Sequence, residues 1–177
     1  MGWSSDVGLT DKGREDAATT AAKLKEYQID HMYVSDLRRA RESGEIISQI
    51  LNMKPTLTHG LRERNLGIFA EKTWAELKTN HAEHFTKFLD HHDPNWNGLE
   101  GESLQDMHQR FDQFLASLKA SHPNQTILMI THSGFLYTIL RDYFGFFATE
   151  SFLEVEHTSV TILDKTKDSY HLTLFNG

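Results

Sequence analysis

Apolar residues recur along the chain at alternating helical and strand-like spacings. Thr10 reads as an N-cap with Asp11 in the first turn, and Ala17, Ala21 and Leu24 follow on one small-residue face. "HMYVSDL" predicts a short strand ending in a polar loop. "RRARESGEIISQIL" predicts a helix with Ala40, Ile47, Ile50 and Leu51 on one side, and "PTLTHGLRERNLG" a strand leaving into a loop closed by Gly67. Trp74, Leu77, Phe85 and Phe88 suit one helix from Trp74 to Leu89, followed by the turn-rich loop "DHHDPNWNGLEGES". Ser103 then caps an amphipathic helix carrying Leu104, Met107, Phe111, Phe114, Leu115 and Leu118. "TILMI" is the unbroken apolar run expected of a strand buried on both faces. "THSG" follows at once, then the apolar helix "FLYTILRDYF". "SVTILDKTKDSYHLTLF" closes the chain as two strands joined by a polar turn. Such alternation predicts an α/β fold, a three-layer α/β/α sandwich around a mainly parallel sheet. The order opens on a helix, so the βαβ rhythm lacks its first strand.

Length and composition narrow this picture. The 177 residues suit a single domain, 1–177, with a helical lobe inserted at about 65–101. A net charge of -7, with no basic run longer than Arg38-Arg39, disfavours a nucleic-acid partner. The chain has no cysteine, which removes disulfides, thiolate metal sites and a cysteine nucleophile. No apolar run reaches the ~20 residues of a membrane span, so no membrane partner and a cytoplasmic location are expected.

Candidate chemistry gathers at the predicted strand ends. In "ILMITHSGF", His132-Ser133-Gly134 falls where a buried strand hands over to a helix, a place where open α/β sheets bind ligands and unpaired N–H groups favour anions. The plain alternative is a histidine that merely ends a strand. In "VSDLRRARESGEII", Arg38, Arg39 and Arg41 crowd a first helical turn, where cations oppose the helix dipole and the planar fork of arginine suits phosphate oxygens. Some of the three simply face solvent. Glu63, between Arg62 and Arg64, could donate a proton to a leaving oxygen if its pKa is raised, or belong to a surface salt-bridge set. His81, His84, His91, His92 and Asp93 invite a metal reading, but no second compact ligand pair with zinc-like spacing joins them. No metal site is expected. Phe111 and Phe114 read as core, and His157 as a residue preceding a strand.

In order, "GWSSDVGLTDKGREDA", "SDLRRARESGEII", "LRERNLG", "GES" and "THSGF" resemble the histidine phosphatase superfamily, the phosphoglycerate-mutase-like proteins. That resemblance covers nearly the whole chain. It implies the α/β/α architecture and phosphoryl transfer through a phosphohistidine, with no cofactor and a small phosphorylated molecule as partner. Matched position by position, Arg39 falls on the phosphate-gripping arginine and Glu63 on the proton donor. His132 falls on the second pocket histidine, with the Ser133 and Gly134 amides nearby, and Gly2 on a backbone position near substrate. Gly8 stands where proline is usual. The short stretch from Glu63 to Gly101 lacks the adjacent arginine pair of the mutases, which resembles the small phosphatases more.

In the family, a first strand ending in Arg-His-Gly precedes the Gly-Trp-like segment. It supplies the nucleophilic histidine and a further phosphate arginine, and it lies centrally, between the strands matched by "TILMI" and "SVTIL". The resemblance therefore predicts that the chain as written lacks this strand and its nucleophile and does not turn over substrate by the family route. Buried strand edges without partners cost about 1–3 kcal/mol per backbone group. Three remedies stay open: a rearranged sheet, strand donation from another chain or within a homo-oligomer, or a start upstream. A non-catalytic phosphoester-binding pseudoenzyme or interaction protein is the rival reading, and a metal-dependent hydrolase using the histidine-rich part a third.

Overall fold

A computed structural model describes residues 7–70, 72–89, 93–98, 100–146, 154–166 and 169–177. The expectation placed on Gly2 lies outside the described residues, as do those on His91, His92 and the apolar side chains of Trp74 and Phe88. The elements run α1 (Asp11–Leu24), β1 (His31–Ser35), α2 (Arg38–Leu51), β2 (Pro55–Thr58), α3 (Trp74–Asn80), α4 (Ala82–Leu89), α5 (Leu104–Ser121), β3 (Ile127–Ile130), α6 (Ser133–Thr138), β4 (Ile162–Lys165) and β5 (Tyr170–Leu174). Short 3₁₀ turns occupy His59–Leu61 and Gly67–Phe69.

Local signals fix the starts of α1 and α5. The Thr10 side chain accepts from the Gly13 amide. Ser103 and Asp106 form a reciprocal capping box at the start of α5.

The parallel sheet has the order β2-β1-β3. Its period-two alternation sorts the layers. Met32 and Val34 of β1, with Leu128 and Ile130 of β3, pack against Ala21 and Leu24 of α1 and Ala40 and Ile47 of α2. Tyr33, Ile127 and Met129 point the other way, onto Met107, Phe111, Phe114 and Leu115 of α5 and Phe135 of α6. The sandwich thus has helices on both faces. On the α2 side the approach is close, because a Cβ on Gly44 would come within 2.8 Å of Val34 Cγ1. Phe111 and Phe114 are buried in the core, as read. Among the described residues, no helix is long and apolar enough to cross a membrane.

Three expectations are corrected. The helix foreseen from Trp74 to Leu89 is two, because the backbone leaves helical geometry at His81 (φ -140°, ψ 40°). "FLYTILRDYF" is not one regular helix: α6 ends at Thr138 and a π-helical turn, Ile139–Tyr143, carries the chain on. Ile127–Ile130 is half-buried throughout rather than buried on both faces. The reason is edge position. Among the described residues β3 pairs with β1 alone, and β4 and β5 form a separate antiparallel ladder. Val160, just ahead of β4, packs against the same core cluster as Leu128 and Ile130.

Candidate active site

All three parallel strands deliver their carboxyl ends to one rim, where the candidate residues lie. β1 ends at Ser35 and turns through Asp36 and Leu37 into α2. The first turn of α2 holds no acidic side chain. Of its arginines, Arg38 donates to Glu42 at 2.9 Å, a bond one helical turn long. Arg39 instead acts on the rim, since its charge bears on both Glu63 and His132.

β3 runs through Thr131 to His132, which occupies the N-cap position of α6 without capping it by its side chain. His132 is 8% exposed, and its Nε2 lies 2.8 Å from Ser35 Oγ. Burial, reinforced by the positive charges of Arg39 and Arg110 and opposed by Asp36, pushes its pKa down to about 3. The imidazole is therefore neutral at pH 7.

Glu63 follows β2 and the 3₁₀ turn. Its carboxylate accepts from its neighbour, the Arg64 amide, at 3.0 Å and from the Gly134 amide at 3.1 Å, and the Phe135 amide adds a third bond. As a residue Glu63 is half-buried, but its carboxyl end lies so close to α6 that a Cβ on Gly134 would come within 2.9 Å of it. Burial pushes its pKa above the ordinary carboxyl value, against the opposing pull of the amides and Arg39. A carboxyl group with a raised pKa suits proton donation. Ser133 is the first residue of α6, beside these bonds.

Other side chains brace this rim without having been singled out in the sequence. Arg62 grips Asp36 through two bonds of 2.6 Å. Arg110 of α5 forks onto Glu102 at 2.7 and 2.9 Å, donates to the carbonyls of His59 and Gly60, and lies over the Phe135 ring. Arg64 donates to the carbonyls of Glu102 and Trp96. Within the Arg-Glu-Arg tripeptide, Arg62 pairs with Asp36 and Arg64 donates to backbone carbonyls, while Glu63 accepts from backbone amides. The one sequence signal for Asp36 was its place in the polar loop after a strand, and it names no partner. Among the described residues, no group of three His, Cys, Asp or Glu side chains could hold a metal ion.

A family profile, the histidine phosphatase superfamily (branch 1), matches residues 1–177. The chain belongs to the histidine phosphatase superfamily. Phosphoglycerate mutase-like protein 4 of Arabidopsis thaliana is 34% identical over 131 residues, 73% of this chain and 57% of its own length. The chain thus spans little more than half of that plant relative. The probable phosphoglycerate mutase GpmB of Erwinia tasmaniensis is 29% identical over 161 residues, 90% of this chain and 74% of its own. Among solved structures, Bacillus stearothermophilus YhfR superposes with a TM-score of 0.84 at 28% identity, covering 98% of this chain and 86% of its own. The phosphate complex of a mycobacterial glucosyl-3-phosphoglycerate phosphatase gives 0.86 at 22% identity, covering 100% and 90%, which speaks to the fold alone.

Proposed function

We propose that this protein serves phosphomonoester hydrolysis on a small phosphorylated molecule, with these residues supplying the acid and the anion clamp. One observation carries the reading: the Glu63 carboxyl, its pKa raised by burial, rests on the Gly134 amide within the reach of Arg39 that also acts on His132. Arg39, His132 and the Ser133 amide stabilise the equatorial phosphoryl oxygens, while Glu63, held on the Gly134 amide, protonates the leaving alcohol. Structural neighbours include a mycobacterial glucosyl-3-phosphoglycerate phosphatase, solved also with inorganic phosphate, and the alpha-ribazole phosphatase of Shigella flexneri. The stretch 65–101, with Trp96 packed on Phe69, is proposed as the lobe that meets the leaving group.

Attack on phosphorus needs an imidazole nitrogen in line with the leaving oxygen. His132, tied to Ser35 and matched to a flanking role, is not proposed for it. The nucleophile is instead proposed to arrive on a strand added at the second edge of β3, which among the described residues pairs with β1 alone. The 177-residue polypeptide alone is therefore expected to bind orthophosphate but to leave phenyl phosphate intact.

Free imidazole added to the solution tests this. It attacks phosphorus, the phenolate leaves with the proton of Glu63, and water then splits the phosphoimidazole into orthophosphate and imidazole. Imidazole-dependent release of phenol, lost in Glu63→Gln, is the expected result. p-Nitrophenyl phosphate, whose leaving group needs little protonation, should lose much less in the same variant. Turnover without imidazole that vanishes in His132→Ala would contradict the assignment. Phosphate binding with no turnover under any condition would favour the non-catalytic binding role.

A further inference from the structure

Three loops carry the candidate site, and they are tied to one another in pairs. The β1 loop joins the β3 loop through Ser35 Oγ and His132 Nε2 at 2.8 Å. The β2 loop joins the β3 loop twice, through the Thr131 hydroxyl donating to the Leu61 carbonyl at 2.8 Å and the Gly134 amide donating to Glu63 at 3.1 Å. The β1 loop joins the β2 loop through the fork of Arg62 on Asp36, both bonds at 2.6 Å. Asp36 directly follows the Ser35 that holds His132, and Arg62 directly precedes Glu63. The triangle is closed, and its ionic side sits one residue from each of the other ties.

We propose that Asp36 and Arg62 are positioning residues, whose ion pair closes this triangle and so fixes the Glu63 carboxyl relative to His132. The inference rests on reading Glu63 as the proton donor and His132 as a phosphate contact. Geometry favours it: a bidentate arginine–carboxylate pair fixes orientation as well as distance, which a single-point contact cannot do. Displacing a reacting group by about 1 Å can cost two orders of magnitude in rate. The pair also holds at working pH. Hydrogen bonding from Arg62 keeps the Asp36 carboxyl below its usual range and raises Arg62, so both stay charged well into acid. The other groups acting on His132 are Arg39 and Arg110, while Arg39 also faces Glu63.

The test follows the Glu63 carboxyl carbon by NMR through a pH titration of the full chain, with orthophosphate affinity measured alongside. Asp36→Asn, Arg62→Gln and the double variant are compared, with Arg62→Lys as the milder change should a neutral variant fail to fold. Charge alone and positioning predict different signs. Losing the Asp36 charge favours the Glu63 anion and lowers its pKa, whereas losing the Arg62 charge raises it. Loosening of the triangle lets water reach Glu63 and lowers its pKa in both. The expected result is a fall of about one pH unit in each single variant, about tenfold weaker phosphate binding, and a double variant no worse than either single. Arg62→Lys, which keeps the charge but not the fork, should show part of the same fall. Folded variants with an unmoved Glu63 titration, or with shifts of opposite sign, would overturn the proposal. Failure of the wild-type chain to bind phosphate would count against the function proposed above, while the Glu63 titration would still judge the triangle.

Discussion

Replacing Arg39 with alanine is expected to weaken orthophosphate binding about 100-fold. Arg39 is the second residue of α2, whose first turn carries no acidic side chain. Its neighbour Arg38 is committed to Glu42, whereas the Arg39 charge reaches both Glu63 and His132. A guanidinium on a phosphate dianion makes charge-assisted hydrogen bonds worth about 1.5–3 kcal/mol each, and the upper part of that range corresponds to two decades in affinity. Arg39→Lys should recover part of the loss, since it keeps the charge and gives up the fork. Isothermal titration with orthophosphate reads both variants. An affinity unchanged in Arg39→Ala would remove Arg39 from the clamp.

The second large effect is a loss of stability in mild acid that comes from His132. Its pKa is about 3 in the folded chain, because burial and the charges of Arg39 and Arg110 disfavour the imidazolium. In the unfolded chain it returns to about 6.5. Below that value the unfolded state takes up a proton that the folded state refuses, so stability falls as the pH falls from 6.5 towards 3. Linkage over the interval from pH 7 to 5 gives a contribution of about 2 kcal/mol. His132→Asn does not titrate, so its loss of stability between these pH values should be smaller by about that amount. Urea midpoints at the two pH values measure the difference. Equal losses in wild type and variant would mean that the imidazole is not held neutral. Functionally, a neutral His132 in the empty site can take up a proton when a phosphate dianion arrives, which places the charge where and when it is needed.

Local features of the fold were legible in the sequence, and long-range ones were not. Thr10 and Ser103 announced their helices because a cap and its amide partner lie within three residues. The strand at Ile127–Ile130 was visible as an apolar run, but its half-burial depends on what pairs with its second edge, which no property of those four residues reveals. The break at His81 and the π-helical turn at Ile139–Tyr143 carry no proline or glycine at the point of change, so propensity was silent. At the site, Glu63 and His132 stood out as strand-end residues of reactive type. Their braces did not, because Arg62 and Asp36 lie 26 residues apart and many arginines could have paired with that carboxylate. Arg110 and Glu102 were hidden differently: the carboxylate precedes the helix that carries the arginine, so no helical spacing exposes the pair.

The central claim is that Arg39, Glu63 and His132 form one phosphate-binding rim at the carboxyl ends of β1, β2 and β3. The most direct measurement is an orthophosphate titration of the chain followed through the imidazole nitrogens of His132 and the amide of Gly134. Saturable shifts of both signals with one dissociation constant, and a His132 pKa rising from about 3 as phosphate binds, are the expected result. Phosphate that binds while both signals stand still, or an unmoved His132 titration at saturation, would contradict it.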